Sequence, residues 1–213
     1  MRRLGAPAWR LACGAVAGPV FVLTFTAAGR RREGYNPRRH PVSALALGPG
    51  GGVQRVNFVI TGLLYVAGST GLKRAATSQF LPRSGPTLIA GTGLGLIGSG
   101  IFATDPVSGY PPGTAPQQVP PSRTGALHAL GAVPVFLGIP VAAVFSAARS
   151  ARTGDTRWAA YSAATAVVMI GTAALFGRAF SQKPSLVAAG GLLQRISISS
   201  GLAWLTAVHV RAL

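Results

Sequence analysis

Acid is what this chain lacks. Three carboxylates, Glu33, Asp105 and Asp155, face twenty lysines and arginines across 213 residues, a formal net charge of +17. Charge of either sign is scarce as well: 11% of residues are charged, against about a quarter in an ordinary soluble domain. A water-soluble core of this size needs a more polar surface to cover it, so a soluble globular fold is excluded. Cysteine is down to Cys13 alone, which excludes an intramolecular disulfide and leaves a small apolar side chain inside the first apolar block. Lysine is limited to Lys73 and Lys183, so the positive charge is almost all arginine.

What the chain has instead is apolar residues, 49% of the total, with a mean hydropathy of +0.43. They fall into blocks of roughly 18 residues or more, the length a bilayer span requires. The basic residues sit in short connectors between these blocks rather than along one face of a domain. That placement suits lipid phosphates and argues against a nucleic-acid partner, despite a pI near 12.0. The expected fold class is all-α: one integral membrane domain over residues 1–213, a bundle of six transmembrane helices at about 9–29, 53–72, 86–104, 125–148, 158–177 and 186–209.

Within the first block a retained helix is expected rather than a cleaved signal peptide, because the apolar run is long and further spans follow. Gly14 and Gly18 give it a small-residue face, and Pro19 is expected to kink it. In the connector after it, Val42–Leu47 is apolar enough to lie at the membrane interface as a short re-entrant or surface element, and the run Gly48-Pro49-Gly50-Gly51-Gly52 breaks the chain. Helix three places Gly91, Gly95, Ser99 and Ala103 every four residues, so a neighbour can approach closely. Its Gly93-x-Gly95-x-x-Gly98 matches a dinucleotide fingerprint in letters only: no strand precedes it and the segment is membrane-apolar. Asp105-Pro106 is expected to end this helix. Pro134 and Pro140 bend or break helix four, and Trp158 opens helix five as an interfacial aromatic.

Six spans put both termini at one end of the bundle, here end A, and the opposite end is end B. Arginines and lysines divide almost evenly between the ends, so charge bias gives only a lean towards cytoplasmic termini. The other polar residues do not divide evenly. His40, Ser43 and Tyr110 lie in end-B connectors. Gln54, Arg55 and Asn57 open helix two from end B, Asp105 and His128 close helix three and open helix four there, and Gln194 and Arg195 enter helix six from the same side. Ionisable groups at membrane depth need partners. Arg55 and Arg195 have Asp105 as the one acid at their level. This leaves two readings: a structural ion pair or carbonyl-capped arginines that lock the bundle, or a pocket. In the pocket His40, Ser43, Gln54, Arg55, Asn57, Tyr110, Gln194 and Arg195 bind an anionic head group, and Asp105 and His128 act as a catalytic proton-transfer pair. His40, His128 and Asp105 lack a diagnostic metal spacing, and a Ser43/His128/Asp105 triad lacks a nucleophile elbow, so no metal and no cofactor is expected. Gln54-Arg55-Val56-Asn57 and Gln194-Arg195-Ile196-Ser197 share a pattern, each soon followed by Thr/Ser-Gly-Leu, which hints at an internal repeat.

The blocks GYNPRRHPVSALALGPGG, VQRVNFVITGLL, FATDPVSGYPPGT, GALHALG and LLQRISI, in this order, resemble a family of small multipass bacterial proteins, domain of unknown function 998, common in actinobacteria. The resemblance covers nearly the whole chain. It implies about six membrane helices without an established activity, and its recurring polar blocks map onto His40, Ser43, Gln54, Asn57, Asp105, Tyr110, His128, Gln194 and Arg195. Gly52 departs from it, standing where an aromatic residue is expected. The functional expectation is a multi-pass protein of a bacterial plasma membrane that binds membrane lipid or another amphiphilic anion. The alternatives are an enzyme using acid–base chemistry on an isoprenoid or lipid substrate, and a small transporter.

Overall fold

The computed structural model describes residues 8–75, 77, 79–116 and 120–213. Among them the regular elements are helices: α1 (Ala8–Arg30), α2 (Gly52–Leu72), α3 (Gly85–Ile101), α4 (Arg123–Val133), α5 (Ile139–Arg152), α6 (Thr156–Phe180) and α7 (Gly190–Ala212), with short 3₁₀ turns at Val42–Ala46 and Val187–Ala189. A π-wound turn, Pro134–Gly138, joins α4 to α5 in one bent rod. Pro134 has no N–H to give the helical ladder, and the ring crowds the preceding turn, so the winding widens there rather than breaking. Thr92 of α3 donates its hydroxyl to the Pro134 carbonyl at 3.2 Å.

Six rods result, and each packs on the next in chain order: α1 on α2, α2 on α3, α3 on α4–α5, α5 on α6, α6 on α7. The ring then closes, because α7 packs back on α1. Three rods are long and apolar enough to cross a membrane: Ala8–Arg30, Arg123–Arg152 and Thr156–Phe180. They turn large apolar side chains outward, among them Leu23, Leu130 and Val167. An apolar exterior of this extent is at home in lipid rather than water. α2 and α7 are of similar length but hold buried polar residues on their inner faces, which dilutes their hydropathy.

Close backbone approaches fix the ring. A methyl group added at Gly62 of α2 runs into the Gly93 carbonyl of α3, and one at Gly93 meets the Gly62 carbonyl at 2.6 Å. Gly95 and Gly131 form the same reciprocal pair between α3 and α4. The small-residue stripe of α3 is therefore used at Gly95 and Ser99, whereas Gly91 faces open space. Gly93 and Gly100, two glycines outside that stripe, seat α3 on α2. On α1, Gly14 and Gly18 lie against His209 and Leu202 of α7.

One expectation shifts. Helix three ends at Ile101, not beside Asp105, because Phe102 turns extended at φ −93 and ψ 127 and side chains from neighbouring helices take its last carbonyls. Of the two forms expected for the Val42–Ala46 turn, the inward one is seen: Val42, Ala44, Leu45 and Ala46 are all buried. Arg2 and Arg3, expected at end A with the N-terminus, lie outside the described residues.

End A is held by a small electrostatic latch. The Asp155 carboxylate caps α6 by accepting from the Trp158 N–H at 3.1 Å and pairs with Arg211 of α7 at 2.6 Å. The Arg211 guanidinium lies over the Phe80 and Trp158 rings, at 4.7 and 4.9 Å. The Trp158 N–H, and then Arg211, hold the Asp155 carboxyl below its ordinary value of 3.8. A carboxylate depressed in the folded state adds stability above the unfolded-state value and loses it as pH falls through the folded-state one. Asp155→Asn is therefore expected to lower the thermal midpoint in detergent at pH 7, and the gap from wild type is expected to close below pH 3.8. Paired melts at the two pH values check this.

Candidate functional site at end B

The connector between α1 and α2 folds inward and builds most of the end-B rim. Tyr35, His40 and Tyr110 stack as an aromatic cluster, with ring centroids 5.7 Å apart for Tyr35–His40, 5.2 Å for Tyr35–Tyr110 and 5.1 Å for His40–Tyr110. All three rings are buried. His40 Nδ1 accepts from the Asn36 N–H at 3.0 Å, so that nitrogen is unprotonated. Burial, and then the adjacent Arg39 charge, push the imidazole below its ordinary value, and the Ser108 carbonyl pulls the other way. At neutral pH the ring is uncharged. Burial raises the Tyr35 phenol, with Arg195 opposing.

Arginines tie this cluster to the helices. Arg195 of α7 donates Nη1 to the carbonyls of Pro37, His40 and Gly191, and Nη2 to the Tyr35 hydroxyl. Its guanidinium also lies 5.7 Å from the Phe25 ring and 5.5 Å from that of Tyr35. Arg32 donates Nε to the Tyr110 hydroxyl at 3.1 Å and Nη2 to the Leu47 carbonyl. Arg39 donates Nε to Ser108 O at 3.1 Å. Arg55, exposed at the start of α2, donates to the Gly100 and Ile101 carbonyls at 3.0 and 2.7 Å and so caps α3. A planar fork of donors suits several converging carbonyls better than an ammonium does.

Asp105 is therefore not the counter-ion of Arg55 or Arg195. Its carboxylate accepts from the Ser122 N–H at 2.9 Å and the Ser122 hydroxyl at 2.6 Å. Ser122 is the N-cap of α4 and accepts from Gly125 N–H at 3.0 Å. The acid thus sits at the positive end of the α4 dipole, where negative charge is favoured. His128, one turn further along α4, turns Nδ1 to the Ser99 and Phe102 carbonyls, both at 3.0 Å. Two acceptors at Nδ1 place the proton there and leave Nε2 as the acceptor nitrogen. Asp105 and His128 share the end-B rim, and no hydrogen bond joins them among the described residues.

The remaining expected residues separate into two groups. Ser43, His128 and Gln194 line a cavity of ≈ 50 Å³ whose walls include Phe21, Phe58 and Val135. Gln194 Oε1 accepts from Val42 N–H at 2.8 Å, which pins the inward turn. Gln54 and Asn57 lie apart from it: Asn57 donates to Gln54 Oε1 at 3.3 Å and to the Phe21 carbonyl at 3.1 Å. Nearer the surface, a cleft of ≈ 510 Å³ opens between the end of α1 and α7, lined by Phe25, Thr26, Gly29, Arg30, Arg32, Tyr35, Pro37 and Arg195. Of the site residues expected from sequence only Arg195 reaches it. Arg30 and Arg32 sit in an arginine run that looks like ordinary connector charge, and Tyr35 follows in the same connector. The cue was present in their position, immediately beyond α1.

Among the described residues no cluster of His, Cys, Asp and Glu could hold a metal ion. Fold and rim together define a helical membrane protein with an arginine-lined end. The chain belongs to the family described as protein of unknown function DUF998, whose model matches residues 15–211. No curated protein and no solved structure matches it.

Proposed function

We propose that this is a multi-pass protein of the bacterial plasma membrane that binds an anionic lipid or other amphiphilic anion at end B. The observation behind this reading is the ≈ 510 Å³ cleft: Arg30, Arg32 and Arg195 line it without a carboxylate among them, beside the Phe25 ring. Cationic side chains at a bilayer rim attract phosphate-bearing head groups, at about 1 kcal/mol per charge near the surface. Arg195 and Arg32 spend donors on the protein's own carbonyls and hydroxyls, but their charge is left without an acid. The one ion pair among the described residues, Arg211–Asp155, is at the other end. Cytoplasmic termini put the cleft on the outer face.

The acid–base alternative draws on the ≈ 50 Å³ cavity, where His128, Ser43 and Gln194 meet an apolar wall. It is the weaker reading because Asp105 is committed to Ser122.

Arg30 is exposed and ties down no other segment, so Arg30→Ala tests the cleft without disturbing the rim. Anionic phosphatidylglycerol is expected to raise the thermal midpoint of wild type in detergent, phosphatidylcholine is not, and Arg30→Ala is expected to shrink the anionic shift. Equal shifts from the two lipids, or an unchanged shift in the variant, defeat the reading.

A further inference from the structure

The ≈ 50 Å³ cavity beside the Val42–Ala46 turn is apolar on most sides, with Phe21, Phe58, Leu96, Val135, Phe136 and Ile198 in its walls. No lysine, arginine, aspartate or glutamate lines it. Its polar atoms are few, and three of them are unspent. His128 is 6% exposed and Gln194 9%. His128 gives its Nδ1 proton to the Ser99 and Phe102 carbonyls, so Nε2 is an acceptor, and among the described residues nothing bonds it. Gln194 Oε1 is held by the Val42 N–H. That bond fixes which way the amide lies and leaves Nε2 as a donor with no partner among the described residues. The Ser43 hydroxyl, which both gives and accepts, has none there either. Buried polar groups are normally paired, so three on one cavity point to a ligand that pairs them.

The pattern of donors and acceptors selects that ligand. His128 Nε2 calls for a group that donates, and Gln194 Nε2 for one that accepts. A hydroxyl does both. A carboxylate or phosphate has no proton to give and meets no cation here, an ether only accepts, and an ammonium only donates. One water takes about 10–15 Å³ of such space. The cavity therefore admits a hydroxyl and roughly the first two or three carbons of a chain, and the remainder lies outside it.

The bundle leaves room for that remainder. α4 packs on α3 and the π-wound turn and has no comparable packing on α6 or α7. Its outer side, Ala126, Leu127, Ala129 and Leu130, is exposed. Farther from end B the seam beside α4 is closed by Phe136 against Phe176, ring centroids 5.0 Å apart. Between that aromatic pair and the rim, the cavity has a sideways exit towards lipid.

We propose that this cavity binds an uncharged lipid alcohol, whose hydroxyl donates to His128 Nε2 and accepts from Gln194 Nε2 or Ser43, and whose chain leaves beside α4 into the bilayer. No covalent bond changes. The inference shares the membrane reading with the proposal above and is independent of the arginine cleft.

The test is photolabelling of the full chain in phosphatidylcholine nanodiscs, using a dodecanol that carries a diazirine close to its hydroxyl. Label is expected on α4 and α7 around His128 and Gln194. Plain dodecanol is expected to displace it, and dodecyl methyl ether, which accepts but cannot donate, is not. His128→Asn keeps an amide donor near the Ser99 and Phe102 carbonyls and removes Nε2, so half-labelling is expected to need about fivefold more probe. Ala132→Leu fills the cavity from its own wall and is expected to abolish the displaceable label. Wild type without displaceable label means that the cavity holds water only, and this overturns the proposal. Equal displacement by the ether overturns it as well, and so does a folded His128→Asn protein that labels like wild type.

Discussion

Replacing Arg195 with lysine is expected to destabilise the protein by roughly 2–4 kcal/mol even though the charge is kept. One guanidinium serves the Pro37, His40 and Gly191 carbonyls and the Tyr35 hydroxyl. An ammonium on a shorter donor fan reaches one or two of these and strands the rest. The stranded groups sit at the half-buried rim beside the rings of Tyr35, His40 and Tyr110, where water makes up only part of their loss. The damage spreads, because the same connector supplies the inward turn that Gln194 holds at Val42. Arg55 gives the contrast. It also caps carbonyls, but its side chain is exposed and those carbonyls end a helix at the rim. Arg55→Lys is expected to cost less than half as much. Thermal melts of both variants in one detergent decide it: equal losses mean the rim is not organised around Arg195.

The second large effect belongs to the α2–α3 contact. Gly62→Ala and Gly93→Ala are each expected to cost about 2–3 kcal/mol, at the upper end for overpacking, since the obstructing atom is in each case a backbone carbonyl that cannot rotate away. The two changes push the same pair of helices apart. Once one methyl has widened the gap, the second meets little resistance, so the double variant is expected to lose clearly less than the sum. Additive losses in melts of the two single variants and the double variant show that the helices do not meet at these glycines.

Much of this was legible in the residues. Apolar block length gave the all-helical class, and the six rods follow the blocks. Counting spans placed Asp105, His128, His40, Tyr110, Gln194 and Arg195 at one rim, which is where they lie. The resemblance carried by TDP, GYPPG and HPVSALALG was enough for the family. What the residues did not disclose was partnership. Asp105 looked like the answer to Arg55 and Arg195 because charge suggests charge, yet a serine seventeen residues on gave it a cap to complete and backbone carbonyls satisfied the arginines. Such contacts depend on how a connector folds over its own helices, and no periodicity encodes that. The polar face of α2 is the opposite case. Gln54, Asn57, Thr61 and Tyr65 recur at a 3–4 spacing and so share one face of α2, but that this face meets the His209 ring, 6.1 Å from that of Tyr65, is set by α7, some 150 residues away. The shared Gln-Arg pattern of α2 and α7 has a structural counterpart: in each helix the glutamine is buried and the arginine caps carbonyls of another segment.

Closure of the ring has a consequence for how the molecule is made. α1 and α7 meet through contacts such as Thr206 to the Ala15 carbonyl, 191 residues apart in sequence. At ribosomal speeds of about 5–20 residues per second, the face of α1 bearing Gly14 and Gly18 waits on the order of ten seconds or more for its mate. Throughout that interval Asn57, Thr61 and Tyr65 border an unfilled flank. The nascent protein is therefore most vulnerable to membrane proteases and to non-native helix pairing late in synthesis, and insertion chaperones have their longest task at the seam between the first and last helices.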